Sequence, residues 1–188
     1  MSAHNNSTAR YRTILIGLHW LMAALIIAAY ASIELKGFFP KGSDPRLLMK
    51  SIHYGLGLGV LGLLFLRVWA RFLAKIPQHT LTFAQPQQLI SRMMHWALYG
   101  FMLGMPLLGW LLLSAKGDQI QMFGLQIPAL IAENPEWEDR FEELHEALGS
   151  IGYGLIGLHA LAGLFHHYVQ RDDTLVRMLP WLKRSNLD

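Results

Sequence analysis

The clearest chemical signal in the chain comes from four residues in one apolar stretch. His145, Gly152, His159 and His166 recur at steps of seven. Seven residues are close to two α-helical turns, so the four share one stripe of a helix. Gly149 and Gly163 each follow a histidine by four residues and fall on the same side. Between Ala147 and Gln170 there is no Asp, Glu, Lys or Arg. His145 and His159 are 14 positions apart, which is ~21 Å along a straight helix at ~1.5 Å per residue. That covers most of the ~30 Å hydrocarbon core of a bilayer. One apolar helix therefore presents a metal-binding imidazole near each membrane surface. The glycines beside them leave room for a flat, bulky group.

Composition narrows what that group is. The chain has 188 residues, 53% hydrophobic and only 15% charged. Its mean hydropathy is +0.28. Soluble domains carry about 25% charged residues, so apolar residues gathered into long blocks mark a membrane protein. There is no cysteine. That excludes disulfides, cysteine-ligated iron–sulfur clusters and covalently attached c-type haem. The nine histidines and nine methionines are the remaining soft ligands. Met22, Met93, Met94, Met102 and Met105 read as core fillers.

Four spans position the histidines in a single membrane domain, residues 1–188. They are expected at about 13–33, 47–73, 89–115 and 141–169, each near the ~20 residues a bilayer requires. The first apolar run is too long for a signal peptide and reads as a retained helix. Arg67 and Arg71 close the second span and can snorkel to the interface. Pro106 is expected to bend the third. The apolar part of the 116–140 loop is broken by Gly124 and Pro128 and should lie at the interface. The fold class is all-α: a transmembrane four-helix bundle.

An even number of spans puts both termini on one side. That side, with the 74–88 linker, carries ten Lys and Arg; the other carries six. Acidic residues split the opposite way, three against ten. Basic residues mark the cytoplasmic side, so both termini are expected inside, in a bacterial inner membrane.

Each histidine then has a depth. His53 and His145 begin their helices at the outer surface. His19 and His95 begin theirs at the inner surface, where His159 and His166 also lie. Ionisable side chains within spans are functional candidates by default. Imidazoles on facing helices hold a b-type haem, one on each side of the iron. The outer pair is His53 with His145. At the inner surface His159 can pair with either His19 or His95. His166 reads as a polar pocket residue. His4, His79 and His167 read as ordinary polar residues.

Three stretches carry a family likeness: GLHWLMAALIIAAYASIELKGFFPKG, IHYGLGLGVLGLLFLRVWAR and LHEALGSIGYGLIGLHALAGLFHHYVQRDDTLVRMLP. They resemble the bacterial cytochrome b561 family, di-haem inner-membrane proteins related to the cytochrome b subunits of formate dehydrogenases and hydrogenases. The likeness runs from about Tyr11 to Pro180 and is looser over 74–140. It implies two non-covalent haem b groups, an outer one on His53 and His145 and an inner one on His19 and His159. It places His95 and His166 beside the inner haem, where the family is expected to bind ubiquinone. Similar proteins are superoxide oxidases, which pass an electron from superoxide through haem to ubiquinone.

Superoxide is an anion drawn to cationic surface. Lys36, Lys41, Arg46 and Lys50, just before His53, could serve, or could neutralise haem propionates or lipid phosphates. The first expectation is a di-haem quinone oxidoreductase with superoxide as a donor. The alternative is a carrier or anchor module relaying electrons between quinone and a periplasmic redox protein docked on the acidic 133–146 stretch. A haem-free transporter would need a site at the bilayer midplane, and the histidines avoid it. The partners expected are the lipid bilayer, ubiquinone and such a redox protein, with no nucleic acid.

Overall fold

The computed structural model describes residues 2–73, 85–118, 120–122, 125–172 and 174–179, with side chains placed from Thr13 onward except at 85, 86, 121 and 122. The side chains of His4, Arg10 and Arg12 therefore lie outside what is described, as do Lys75, His79, Lys183, Arg184 and most of the 74–88 linker.

Four long helices dominate: α1 (Ser2–Leu35), α2 (Asp44–Leu73), α3 (Gln85–Ala115) and α4 (Pro135–Tyr168). Each holds a stretch long and apolar enough to cross a bilayer, and the chain is a multi-pass bacterial membrane protein. Large apolar side chains are exposed all along them, including Ile27, Phe65, Trp69 and Leu161. In water such a surface would aggregate; in lipid it is the solvated face.

A 3₁₀ turn, Lys36–Phe38, closes α1. Arg46 then fixes the connection: its Nη1 donates to Lys36 O at 3.1 Å and to Phe39 O at 3.0 Å. Helix α3 continues through Pro106 without a break; the missing N–H costs one ladder bond that a helix held by its neighbours tolerates. Gly117, at φ 75°, ends the turn beyond α3, a left-handed conformation that suits glycine.

The 116–140 segment is not a plain loop. It folds as a two-stranded antiparallel hairpin, β1 (Ile120–Met122) and β2 (Leu125–Ile127), with Ile120 opposite Ile127. The hairpin is pinned back onto α3. Trp110 Nε1 donates to Pro128 O at 3.0 Å, and Ser114 Oγ accepts from Leu130 N at 3.0 Å. Ile120 is buried. Helix α4 starts at Pro135, earlier than hydropathy alone suggests. Asn134 caps it, accepting from Trp137 N at 3.2 Å, with proline at N1 and Glu136 and Glu138 in the first turn. Those acids complement the helix dipole, which is why a charged stretch still forms helix. A short α5 (Thr174–Met178) follows α4 and is tied to α1 by Trp20 Nε1 donating to Met178 O at 2.8 Å.

The bundle has two ends. The hairpin end holds the α1–α2 turn, the hairpin and the start of α4. The tail end holds α5 and the end of α4. Helix α1 packs along α2, α2 against α3, and α3 against α4. Met22, Val60, Leu61 and Leu64 form the tight seam of the first pair. Helix α4 makes no such approach to α1 or α2. Among its described residues only Gly152 is buried. The interior is thus open between α4 and the α1–α2 pair.

Around Gly152 this gap narrows. A Cβ there would run into the Tyr30 hydroxyl and the Phe101 ring. Tyr30 cannot easily yield, because its hydroxyl donates to Gly149 O at 2.7 Å. Gly152→Ala is expected to cost about 1–3 kcal/mol as an overpacked position. Gly154→Ala, with nothing within 4 Å of its Cβ, should be neutral or stabilising by up to about 1 kcal/mol through helix propensity. Thermal unfolding of the two variants in one detergent checks the contrast.

Candidate functional site

At the hairpin end, α2 presents His53 and α4 presents His145. Their ring centroids are 6.1 Å apart and their planes cross at 83°. His53 Nδ1 lies 2.9 Å from Ala29 O. A carbonyl only accepts, so Nδ1 carries the proton and Nε2 keeps its lone pair, the usual state of a metal-ligating histidine. His145 Nδ1 is buried with no hydrogen-bond partner among the described residues. Leaving such an atom unsatisfied costs about 1–3 kcal/mol. Gly109 backs this ring: a Cβ there would stand 3.2 Å from His145 Cε1.

A cavity of about 450 Å³ opens between the two imidazoles, within the ~300–1,000 Å³ usual for cofactor sites. Its walls are mostly apolar, among them Ile26, Leu58, Met102 and Met105, and its rim carries Lys36, Lys50 and Lys116 beside Glu34, Glu138 and Glu142. Of the four cations singled out from the sequence, Lys36 and Lys50 line the cavity. Arg46 is committed to backbone carbonyls. Lys41 is exposed and away from the lining.

At the tail end, three imidazoles converge. His159 of α4 has its centroid 6.2 Å from that of His19 on α1 and 5.7 Å from that of His95 on α3. His95 Nδ1 donates to Ser91 O at 2.6 Å. His19 Nδ1 faces Arg67 Nη1 at 2.9 Å. A guanidinium only donates, so Nδ1 accepts there. Both candidates for the partner of His159 are therefore within reach, held in different ways.

His166 sits one further step along α4. Its Nδ1 lies 2.5 Å from Asp172 Oδ2. Its Nε2 faces Gln87 Nε2 of α3 at 3.5 Å, and that amide also donates to Gln170 Oε1 at 2.8 Å. Burial alone would raise the Asp172 carboxyl, but hydrogen bonds from Thr174 and His166 together hold it below the usual range.

The donor set suits haem. A metal–imidazole bond is about 2 Å long. Two such bonds plus the two ring halves come to roughly the 6.1 and 6.2 Å centroid separations seen. Among the described residues no group of three or more His, Asp or Glu could hold a bare metal ion. Pairs flanking an open, apolar gap are what a bis-imidazole iron porphyrin requires.

Sequence reasoning missed Arg67 beside His19, Gln87 and Asp172 beside His166, and Tyr30 and Phe101 across Gly152. Arg67 carried a signal, being a charge inside a span. The others depend on contacts between distant segments.

Residues 10–181 match the family described as prokaryotic cytochrome b561. The chain is 37% identical over 171 residues to "Cytochrome b561 homolog 1" of Escherichia coli strain K12, covering 91% of this chain and 97% of that one. It is 36% identical over 174 residues to "Probable superoxide oxidase CybB" of Yersinia pestis, covering 91% and 96%. "Cytochrome b561 homolog 2" of the same Escherichia coli strain is 28% identical over 182 residues, 93% of each chain. With imidazoles facing each other at both ends of α4 and a likeness spanning almost the whole sequence, the chain belongs to the prokaryotic cytochrome b561 family and is a transmembrane b-type cytochrome of quinone-linked electron transfer.

Proposed function

We propose that this protein holds two haem b groups and passes electrons from superoxide, outside a bacterial inner membrane, to ubiquinone at its inner surface. His53 and His145 would hold one haem, His19 and His159 the other. The observation that carries this reading is the spacing of imidazole pairs at opposite ends of α4, across a gap that α1 and α2 leave open. Resemblance to a protein named as a superoxide oxidase supports the donor. The excess of Lys and Arg around the tail end supports placing that end in the cytoplasm.

Bound haem supplies reversible one-electron chemistry. The chain supplies the rest. His53 with His145, and His19 with His159, would hold the iron through two imidazoles each, which would leave it no open position for an oxygen species. Two superoxide ions each lose one electron and leave as dioxygen. One quinone gains those two electrons and takes two protons from the inner side. Lys36 and Lys50 at the cavity rim raise the local concentration of anions. Tyr30 and Phe101 pack against Gly152.

Stopped-flow mixing of the oxidised protein with superoxide tests the donor: the haem absorbance should shift to the reduced form. No reduction eliminates superoxide. Lys36→Glu with Lys50→Glu should slow that step on the order of tenfold at low salt, with the difference vanishing at high salt. An unchanged rate would remove these lysines from the entry path.

A second reading has its own observation. Glu136, Asp139, Glu143 and Glu146 are exposed on the first turns of α4, a surface that suits a basic redox protein. A partner that reduces the protein faster than superoxide does, with a rate that falls steeply with salt, would favour this relay.

A further inference from the structure

Helix α4 does not stop at its last histidine. Gln170 N bonds Phe165 O at 3.2 Å and Asp172 N bonds His166 O at 3.1 Å, around Arg171 at φ 54°. This left-handed residue lets the chain reverse just beyond the helix end. It swings the Asp172 side chain back onto His166. One carboxylate oxygen, Oδ1, accepts from Thr174 N at 2.8 Å and caps α5. The other, Oδ2, takes His166 Nδ1 at 2.5 Å. Both carboxylate oxygens of Asp172 are thus engaged. His166 is left with Nε2 facing α3, where Gln87 stands at 3.5 Å.

We propose that Asp172 is a positioning residue for proton delivery to quinone: it holds the Nδ1 proton of His166, so that Nε2 is the nitrogen that exchanges protons with a quinone carbonyl oxygen at the tail end. The proposal rests on the reading that quinone is reduced at that end. A carboxylate behind an imidazole fixes its tautomer and stabilises its cationic form. In the delivery step the Nε2–H bond breaks and an O–H bond forms on the quinone, whose electrons come from superoxide through the protein. Nε2 then regains a proton from water at the tail surface, where Gln170 is exposed. Two such cycles complete one quinol. The Nδ1 proton stays with Asp172 throughout. Gln87 is bonded to Gln170, so its amide nitrogen is held in place facing Nε2.

The informative variant is Asp172→Asn. Asparagine keeps the shape and still caps α5 through its oxygen. Its amide NH₂ would then meet Nδ1 as a donor and force the proton onto Nε2, the opposite tautomer. The same exchange in a serine-protease triad preserves geometry and lowers turnover through the wrong tautomer. Full-length protein carrying its haem is assayed with a water-soluble ubiquinone analogue, with haem content read from the visible spectrum. Asp172→Asn should keep the haem spectrum and lower kcat for quinone about ten- to a hundredfold, with KM changed less than about twofold, since the substrate contact itself is left in place. His166→Gln should lower kcat at least as much. The double variant should be no slower than His166→Gln alone, because the two act as one unit. A wild-type kcat in Asp172→Asn overturns the proposal. So does a double variant slower than His166→Gln by the full Asp172→Asn factor. A wild-type rate in His166→Gln also overturns the proposal, while the reading that quinone is reduced at that end is tested separately through His95. Asp172→Ser, which also caps α5 but offers nothing to Nδ1, separates capping from positioning: it should be slow, and a full rate would overturn the proposal.

Discussion

His145→Ala is expected to remove about half of the haem bound per chain while the remaining half keeps its bis-imidazole spectrum. The reason lies in how few ligands the hairpin end offers. His53 and His145 are the imidazoles that line its cavity, and His53 is locked by its bond to Ala29 O. Removing His145 leaves one axial nitrogen and no second one to replace it. It also removes the buried, unpartnered Nδ1, so the apo protein itself should not be destabilised by a lost hydrogen bond. Any fall in thermal stability must then come from the missing cofactor, by the usual linkage of ligand to folding. His53→Ala should give the same haem loss but also free the carbonyl of Ala29. A haem count by pyridine haemochrome, on protein purified from cells fed iron and porphyrin precursor, reads the result. Two haems retained in His145→Ala would show that this pair is not a ligand pair. Met102 and Met105 line the same cavity. Were a sulfur of either to capture the iron, the haem would survive with a markedly raised potential, and a redox titration separates that case.

The contrast between the two ends also shows where a sequence stops being legible. The stripe on α4 needs only helical periodicity, and four apolar runs suffice to predict the bundle. The start of α4 at Pro135 was hidden because Glu136, Glu138, Asp139 and Arg140 look like loop to a hydropathy scan, while the cap at Asn134 says otherwise. The hairpin at 120–127 has runs too short to show a period. The relation of Asp172 to His166 is set by a chain reversal at Arg171, and no repeat encodes where a reversal aims a side chain. Arg67 was visible as a charge in a span, yet its partner belongs to another helix 48 residues away. Spacing along a helix is written in the sequence; choice among equally deep partners on neighbouring helices is not.

That choice is sharpest at His159, and His19→Ala against His95→Ala decides it. Both rings stand close to His159, at 6.2 and 5.7 Å. A metal-bound histidine ordinarily donates its other N–H to a carbonyl or carboxylate. His95 meets that description through Ser91 O. His19 does not, since Arg67 offers its Nδ1 a donor. Yet the family resemblance puts the ligand on the first helix, and Arg67 has somewhere better to go. Haem b carries carboxylate side groups, and a guanidinium pairs with carboxylate more strongly than with neutral imidazole. Once Arg67 turns away, His19 Nδ1 can take up a proton and Nε2 can bind iron. His95, on α3, also shares its helix with Gln87, which faces His166. The expected outcome is therefore unequal. His19→Ala should lose the tail-end haem and keep the other, while His95→Ala should keep both and slow quinone reduction by about ten- to a hundredfold, as loss of a proton-handling or positioning group does. The reverse pattern would move the ligand to α3 and leave the His19–Arg67 contact as a fixed part of the fold.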